Sequence, residues 1–356
     1  MDGDGARVPR PGVSGRSPLA DLDELDRRII LGLEHDGRAS WTTIAETIGS
    51  SPATVTRRGQ QLIDGNVVRV TVMPQTGSSG RSEMFFLRIT CKPGGSLAVA
   101  EQLAANPDVR FVSMVTGGYD VMAELVVRGG AETYAAAVHD LQALPGIERW
   151  RSDLVLHIHK VGHAWGEQLY HESIGHHEPL PVSEPHECDP SHFDEMDRRL
   201  VDALQSDGRE TFTALGRLLG IDATNARRRF ERLRADGCVD VVTLVPAAAL
   251  GFGSETVLMI QAEPGHLEEV ATTLAGYSAV RYMAALLDGN CLMCEVIAPS
   301  TEQLYQFLSR TLAQLGGVRS WTAATELLSL KRGFVETPWW RRQLEAPGPA
   351  AVRSGP

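Results

Sequence analysis

Raising a residue number in the first half of this 356-residue chain by 171 lands on its counterpart in the second. Leu22-Asp23-Glu24-Leu25-Asp26-Arg27-Arg28 returns as Phe193-Asp194-Glu195-Met196-Asp197-Arg198-Arg199. Asp36-Gly37-Arg38 returns as Asp207-Gly208-Arg209, Gly49 as Gly220, and Arg57-Arg58 as Arg228-Arg229. The register still holds at Pro93 and Pro264, Trp150 and Trp321, and Lys160 and Lys331. A fixed offset kept over such a span marks a duplication, so whatever this chain folds into is built twice. The formal net charge of −11 disfavours a generally sticky nucleic-acid binder, but net charge says nothing of distribution. Six acidic residues lie in Val161 to His192, which has no Lys or Arg.

The first part of each copy reads as helices. Asp21 and Glu24 have the spacing of a capping box, and Leu22, Leu25, Ile29 and Leu33 recur at helical intervals. Asp36-Gly37-Arg38 breaks that helix, and Ser40 caps a short second one ending at Gly49. Ser51 caps a third with Pro52 at its first position, where a missing N–H costs nothing. Two short helices joined by a tight Gly-containing turn make a helix-turn-helix, whose second member can enter the DNA major groove.

In that third helix Val55, Gly59 and Leu62 face inward, leaving Thr54, Thr56, Arg57, Arg58 and Gln61 outward or lateral. In the second copy Ala226, Phe230 and Leu233 face inward and Asn225, Arg227, Arg228, Arg229 and Arg232 outward. Arg pairs bidentately with guanine and Asn with adenine, while hydroxyls and further Arg hold phosphates. Gly59 stands where the other copy has Phe230; Trp41, opposite Phe212, is expected to fill the volume that Gly59 vacates. The β-branched run Val67 to Val72 predicts a short strand or wing.

The second part of each copy alternates strand and helix. Met84 to Thr90, Val109 to Val115, Tyr119 to Val127 and Ile147 to Ile158 read as strands. Helices follow the turn at Pro93-Gly94 and precede that at Pro145-Gly146. This βαββαβ order is ferredoxin-like, and a sheet bare on one face calls for dimerisation through the sheets.

The order Leu25-Asp26-Arg27-Arg28-Ile29, Asp36-Gly37-Arg38, helix-turn-helix, βαββαβ with Thr116-Gly117-Gly118-Tyr119-Asp120 resembles the leucine-responsive/asparagine-operon (Lrp/AsnC) regulators. The resemblance runs from residue 21 to 335, twice, and implies an α+β fold: a winged helix-turn-helix, then a ferredoxin-like sensor and oligomerisation domain. It implies a sequence-specific transcriptional regulator of double-stranded DNA, cytoplasmic and nucleoid-associated, self-associating into homo-oligomers and answering to an amino acid or related metabolite. The effector residues it implies are Gly118, Tyr119, Asp120 and Ser152. In the second copy the turn reads Leu287-Asp288-Gly289-Asn290-Cys291 and Ser152 becomes Ala323, so that copy departs from the pattern. The expected division of labour gives the first copy the ligand turn and the second the more basic recognition helix.

The domains expected are a tail at 1–20, helix-turn-helix units at 21–74 and 192–246, sensor units at 83–160 and 254–335, an acidic His- and Pro-rich linker at 161–191, and a tail at 341–356. The first half of that linker could form a short helix leaving the first copy. Eight of eleven histidines fall between His157 and His192, with Cys188 among them, but none has the spacing of a closed metal site. No metal, cofactor or catalytic residue is expected. Cys291 and Cys294 sit three apart on a strand and therefore point to opposite faces. Five scattered cysteines favour a reducing compartment, and no apolar run reaches the roughly 18 residues of a membrane span. Two alternatives share the architecture. One is a siroheme decarboxylase, whose His-Asn-Tyr-type motif is replaced here by Met114-Val115-Thr116-Gly117-Gly118-Tyr119; the other is a metabolite sensor without DNA binding.

Overall fold

The computed structural model describes residues 22–75, 82–129, 131–173 and 190–345. Three helices open the first copy, α1 (Glu24–His35), α2 (Trp41–Ile48) and α3 (Pro52–Asp64). Ser40 and Ser51 cap α2 and α3 as their sequence suggests. The capping box of α1, however, is Asp23 with Asp26, not Asp21 with Glu24. Both pairs have the spacing; the later start puts the box carboxylates within reach of Arg58 on α3.

The strand β1 (Arg69–Pro74) does not fold back as a wing on its own domain. It pairs antiparallel with its counterpart in the second copy, Val239–Leu244, setting Val70 opposite Thr243 and Val72 opposite Val241. The two helical heads are thus joined by one two-stranded ribbon.

The rest of the first copy is β2 (Ser82–Cys91), α4 (Ser96–Ala105), β3 (Val109–Val115), β4 (Val121–Arg128), α5 (Ala131–Gln142) and β5 (Ile147–Val161). After α6 (Trp165–Ser173) the second copy supplies α7 (Glu195–Ser206), α8 (Phe212–Leu219), α9 (Ala223–Ala235) and the ribbon strand β6 (Val239–Leu244). Its sensor part is β7 (Ser254–Ala262), α10 (Leu267–Ala275), β8 (Val280–Leu286), β9 (Cys291–Ala298), α11 (Thr301–Gln306) and β10 (Val318–Arg332). A two-residue β11 (Val335–Glu336) and α12 (Trp340–Glu345) end the described chain.

The long last strand of each sensor unit serves both copies. The start of β5 pairs with β2 of its own copy, and the remainder, from Val155 opposite Leu286, pairs with β8 of the other. Likewise β10 pairs with β7 from Val318 to Thr325 and with β3 from Glu326 onward. The two sheets therefore close into one ring, β10-β3-β4-β2-β5-β8-β9-β7 and back to β10, which leaves no edge open between the copies. Helices cover the outside through Leu87, Val99, Leu103 and Leu141 in one copy and Leu258, Val270 and Leu274 in the other. Phe86, Phe111, Met122, Tyr282 and Met293 meet inside the ring. Lys160 and Lys331, at equivalent ends of the exchanged strands, donate to the carbonyls of Tyr277 (2.8 Å) and Asn106 (2.7 Å) just beyond α10 and α4 of the opposite copies. Cations there complement the helix dipole.

The first half of the linker forms the short helix its sequence allows, α6, and the C-terminal tail starts later than expected. Residues 161–173 are packed structure, with Trp165 and Leu169 buried against Ile29 and Ile44 of the first head. The C-terminal tail does not begin at 341, because α12 runs to Glu345 and Trp340 is buried. The 1–20 tail, the remaining linker at 174–189, with His176, His177, His186 and Cys188, and residues 346–356 lie outside the described residues.

Candidate nucleic-acid interface and sensor turns

The recognition helices α3 and α9 bury the faces their spacing indicates, Val55, Gly59 and Leu62 in one and Ala226, Phe230 and Leu233 in the other. A Cβ on Gly59 would run into the six-membered ring of Trp41, so the tryptophan does occupy the space that Gly59 leaves. In the second head Phe212 and Phe230 fill the same volume with ring centroids 5.7 Å apart.

Thr56, Arg57, Arg227 and Arg228 are exposed. Arg57 donates to Gln61 Oε1 at 3.1 Å, Thr56 to the Pro52 carbonyl at 2.7 Å, and Arg228 to Asn225 Oδ1 at 3.4 Å. Thr54 is half-buried and its hydroxyl accepts from the Ser51 cap at 2.8 Å. Three other arginines expected on the reading face are half-buried and ion-paired to the first helix of their own head. Arg58 clamps the α1 capping box, 2.8 Å from Asp23 and 2.9 Å from Asp26. Arg229 repeats this at Asp194 (2.7 Å) and Asp197 (2.8 Å), and Arg232 adds Asp197 (2.5 Å) and the His192 carbonyl (2.9 Å). Asp197 is only 1% exposed, so these bonds satisfy a buried carboxylate and turn the guanidinium groups toward the first helix.

The repeated Asp-Gly-Arg does more than stop a helix. Arg38 reaches across to the carbonyls of Gly208 and Glu210 (3.0 Å to the latter), and Arg209 reaches back to those of Gly37 and Ala39 (2.9 Å to the latter). Each guanidinium also lies over an aromatic ring of the opposite head, Arg38 4.6 Å from Phe212 and Arg209 4.2 Å from Trp41. Burial pushes both arginines below their usual pKa, and at Arg38 the neighbouring Arg209 adds to the effect. Beside this clasp a cleft of about 820 Å³ opens between the heads, lined by Arg38, Arg209, Phe212, Arg227 and Arg234.

The effector residues expected in the first sensor unit are spread over the β3–β4 turn and β5. Gly118 is exposed at the β3–β4 turn. The Asp120 carboxylate accepts from the Cys91 backbone N–H at 2.7 Å and so pins the turn to the end of β2. Tyr119 packs with the ring-interior residues, its ring 5.6 Å from the Arg88 guanidinium. Ser152 pairs with Leu87, faces the helices, and shares a 2.7 Å hydrogen bond with Tyr134. Tyr119, from the turn, packs into the ring interior, whereas Ser152 on β5 faces the helices, so the two lie on opposite sides of the sheet.

Profiles of known families match the chain twice over. The AsnC-type helix-turn-helix domain matches residues 22–63 and 193–234, and the Lrp/AsnC ligand binding domain matches 84–165 and 255–334. The chain belongs to the Lrp/AsnC family. Among relatives of this family, the HTH-type transcriptional regulator FL11 of Pyrococcus abyssi is 30% identical over 140 residues, which are 39% of this chain and 92% of that protein. The regulator LrpA of the same organism is 29% identical over 139 residues, 39% of this chain and 99% of its own. Each relative is therefore the length of one copy. The crystal structure of the siroheme decarboxylase NirDL superposes with a TM-score of 0.56, covering 90% of this chain and 98% of that one at 11% identity. That likeness is one of fold.

Two further features of this Lrp/AsnC chain bear on chemistry. At the ribbon end of the ring Glu255, Glu295 and Glu326 come together, with Arg281 and Arg332 between them. Arg281 donates to Glu295 and Glu255 (2.8 and 2.7 Å), and Arg332 to Glu295 and Glu326 (2.9 and 2.8 Å). A cavity of about 100 Å³ lies beside this lattice, between ribbon and ring, lined by Met73, Arg110, Trp165, Leu244, Tyr282 and Arg332. Cys291 and Cys294 are both buried and free, one inside the ring and the other under the helices, as their spacing implies.

Proposed function

We propose that this chain is a sequence-specific DNA-binding transcriptional regulator in which one polypeptide replaces the two subunits of a dimer, and that it responds to an amino acid or related metabolite. The observation that carries the DNA reading is the pair of capped recognition helices held in one unit by the ribbon and the Arg38–Arg209 clasp. The reading residues are Arg57 with Thr54 and Thr56 in the first head, and Asn225, Arg227 and Arg228 in the second. Arg58, Arg229 and Arg232 act one step back, orienting the helices through the capping boxes.

The heads present different side chains, Thr56-Arg57 against Arg227-Arg228, so the preferred site has two unlike half-sites, since operator symmetry follows protein symmetry. Selection from a random DNA library should return such a non-palindromic site; a perfect palindrome would refute the division of labour. At that site Arg228→Ala should weaken binding by roughly 1–3 kcal/mol, with affinity falling steeply as salt rises. Salt-independent or absent binding in a gel-shift assay would favour a sensor that acts without DNA. The likeness to the decarboxylase is one of fold, at 11% identity. Against that reading, Met114-Val115-Thr116-Gly117-Gly118-Tyr119 holds no histidine where that enzyme has its His-Asn-Tyr-type motif.

A further inference from the structure

Inside the ring, at the end carrying the β3–β4 and β8–β9 turns, two arginines stand side by side. Arg88 on β2 is directly opposite Arg151 on β5. Like charges in that relation destabilise a sheet unless carboxylates bridge them. One bridge is local: Asp153 contacts Arg88 and lies 3.1 Å from Arg151. The other comes from the opposite copy: Asp288, on the β8–β9 turn, lies 2.9 Å from Arg88 and also contacts Arg151.

The repeat shows that this arrangement exists once. The counterparts of Arg88, Arg151 and Asp153 are Met259, Thr322 and Ala324, and the counterpart of Asp288 is Gly117. Asp288 therefore stands on the turn that has lost the Gly-Tyr-Asp pattern, and it points its carboxylate at arginines beside Tyr119, on the copy that kept the pattern. Arg88 and Asp153 are buried, whereas Arg151 is 49% exposed and Asp288 19%, so the approach from solvent is over those two. With Asp288 in place the four charges cancel; without it the group is left with one uncompensated positive charge.

We propose that Arg88 and Arg151 form a carboxylate-binding site for a small metabolite, and that Asp288 is a tethered carboxylate occupying it in competition with that ligand. Two adjacent guanidinium groups match the planar, bidentate geometry of a carboxylate, and Tyr119 supplies an aromatic wall. A tethered competitor lowers apparent affinity through its local concentration, so ligand binding requires the β8–β9 turn to release the first copy. That release links occupancy to the contact between copies.

The assignment rests on the effector reading in one respect, that the sensor half binds a metabolite, so binding is measured without DNA and DNA affinity separately. Acetate, L-alanine, L-aspartate and pyruvate are titrated calorimetrically into the full chain and into Asp288→Asn, which keeps the shape and removes the charge. At least one carboxylate should bind Asp288→Asn tenfold or more tighter than the parent chain, and Arg151→Met in that background should abolish binding. Equal affinity for parent and variant, or no saturable binding by Asp288→Asn, would overturn the proposal and leave Asp288 as an inter-copy ion pair. Arg151→Met alone, at a half-exposed position, is the control for folding, with a melting curve close to the parent's. Loss of DNA binding with carboxylate binding intact would sink the regulator reading and spare this one.

Discussion

A methyl group on Gly59 has no room. Glycine inside a helix costs about 1 kcal/mol against alanine, so Gly59→Ala would stabilise an isolated helix. In this head it drives Cβ into the Trp41 ring, and overpacking of that kind costs roughly 1–3 kcal/mol. The variant should therefore unfold at lower denaturant concentration, and Trp41→Leu should rescue it; a rise in stability would mean that the ring swings aside freely. Glu34 is a second residue whose surroundings decide its behaviour. Buried at the end of α1 against Gly166 of α6, its carboxyl is pushed up to about 8 by desolvation. Its folded pKa lies above the ordinary 4.5, so the stability that its protonated form contributes is whole below pH 4.5 and is lost as pH rises through 8. Glu34→Gln should flatten that part of the stability–pH curve, measured by denaturation at pH 5, 7 and 9.

Among the elements, the recognition helices carry arginines of two kinds. Arg57 and Arg58 are neighbours in sequence, yet one is exposed and the other clamps the α1 capping box. Arg58→Ala should lower the melting temperature of the protein, since it leaves the buried Asp26 without its charged partner, at a cost of about 1–3 kcal/mol. Arg57→Ala should leave the melting curve in place and weaken DNA binding. The reverse pattern would exchange their roles. Helical spacing alone could not make this distinction: it puts both residues on the polar side of α3, and only the carboxylates of α1 show which one is taken. The repetition of Asp-Gly-Arg was the available sign that Arg38 and Arg209 matter, although the carbonyls they bind belong to the other copy. A double-mutant cycle on Trp41 and Arg209 should show a coupling of about 0.5–2 kcal/mol across the two heads.

At the scale of the molecule the two copies are held together by exchanged strands rather than by their connection. Cutting the chain between residues 174 and 189 should leave both fragments in one particle, because β1–β6, β5–β8 and β10–β3 all cross between copies. Co-elution of the fragments in size-exclusion chromatography, with separation only in denaturant, is the expected result; separation in native buffer would contradict the ring.

The amino-acid sequence by itself determined the duplication, the capped helices, the order of strands and the inward faces. These depend on spacings of two to four residues and on an offset that survives in the chain. Tertiary structure alone decided that β1 becomes half of a ribbon, that β5 and β10 each serve two sheets, and that Asp288 closes on Arg88. Backbone hydrogen bonds are the same whichever copy supplies the partner strand, so local periodicity holds no record of the choice. The choice is made where the whole chain meets, by closing the ring and by pairing charges that lie far apart in sequence.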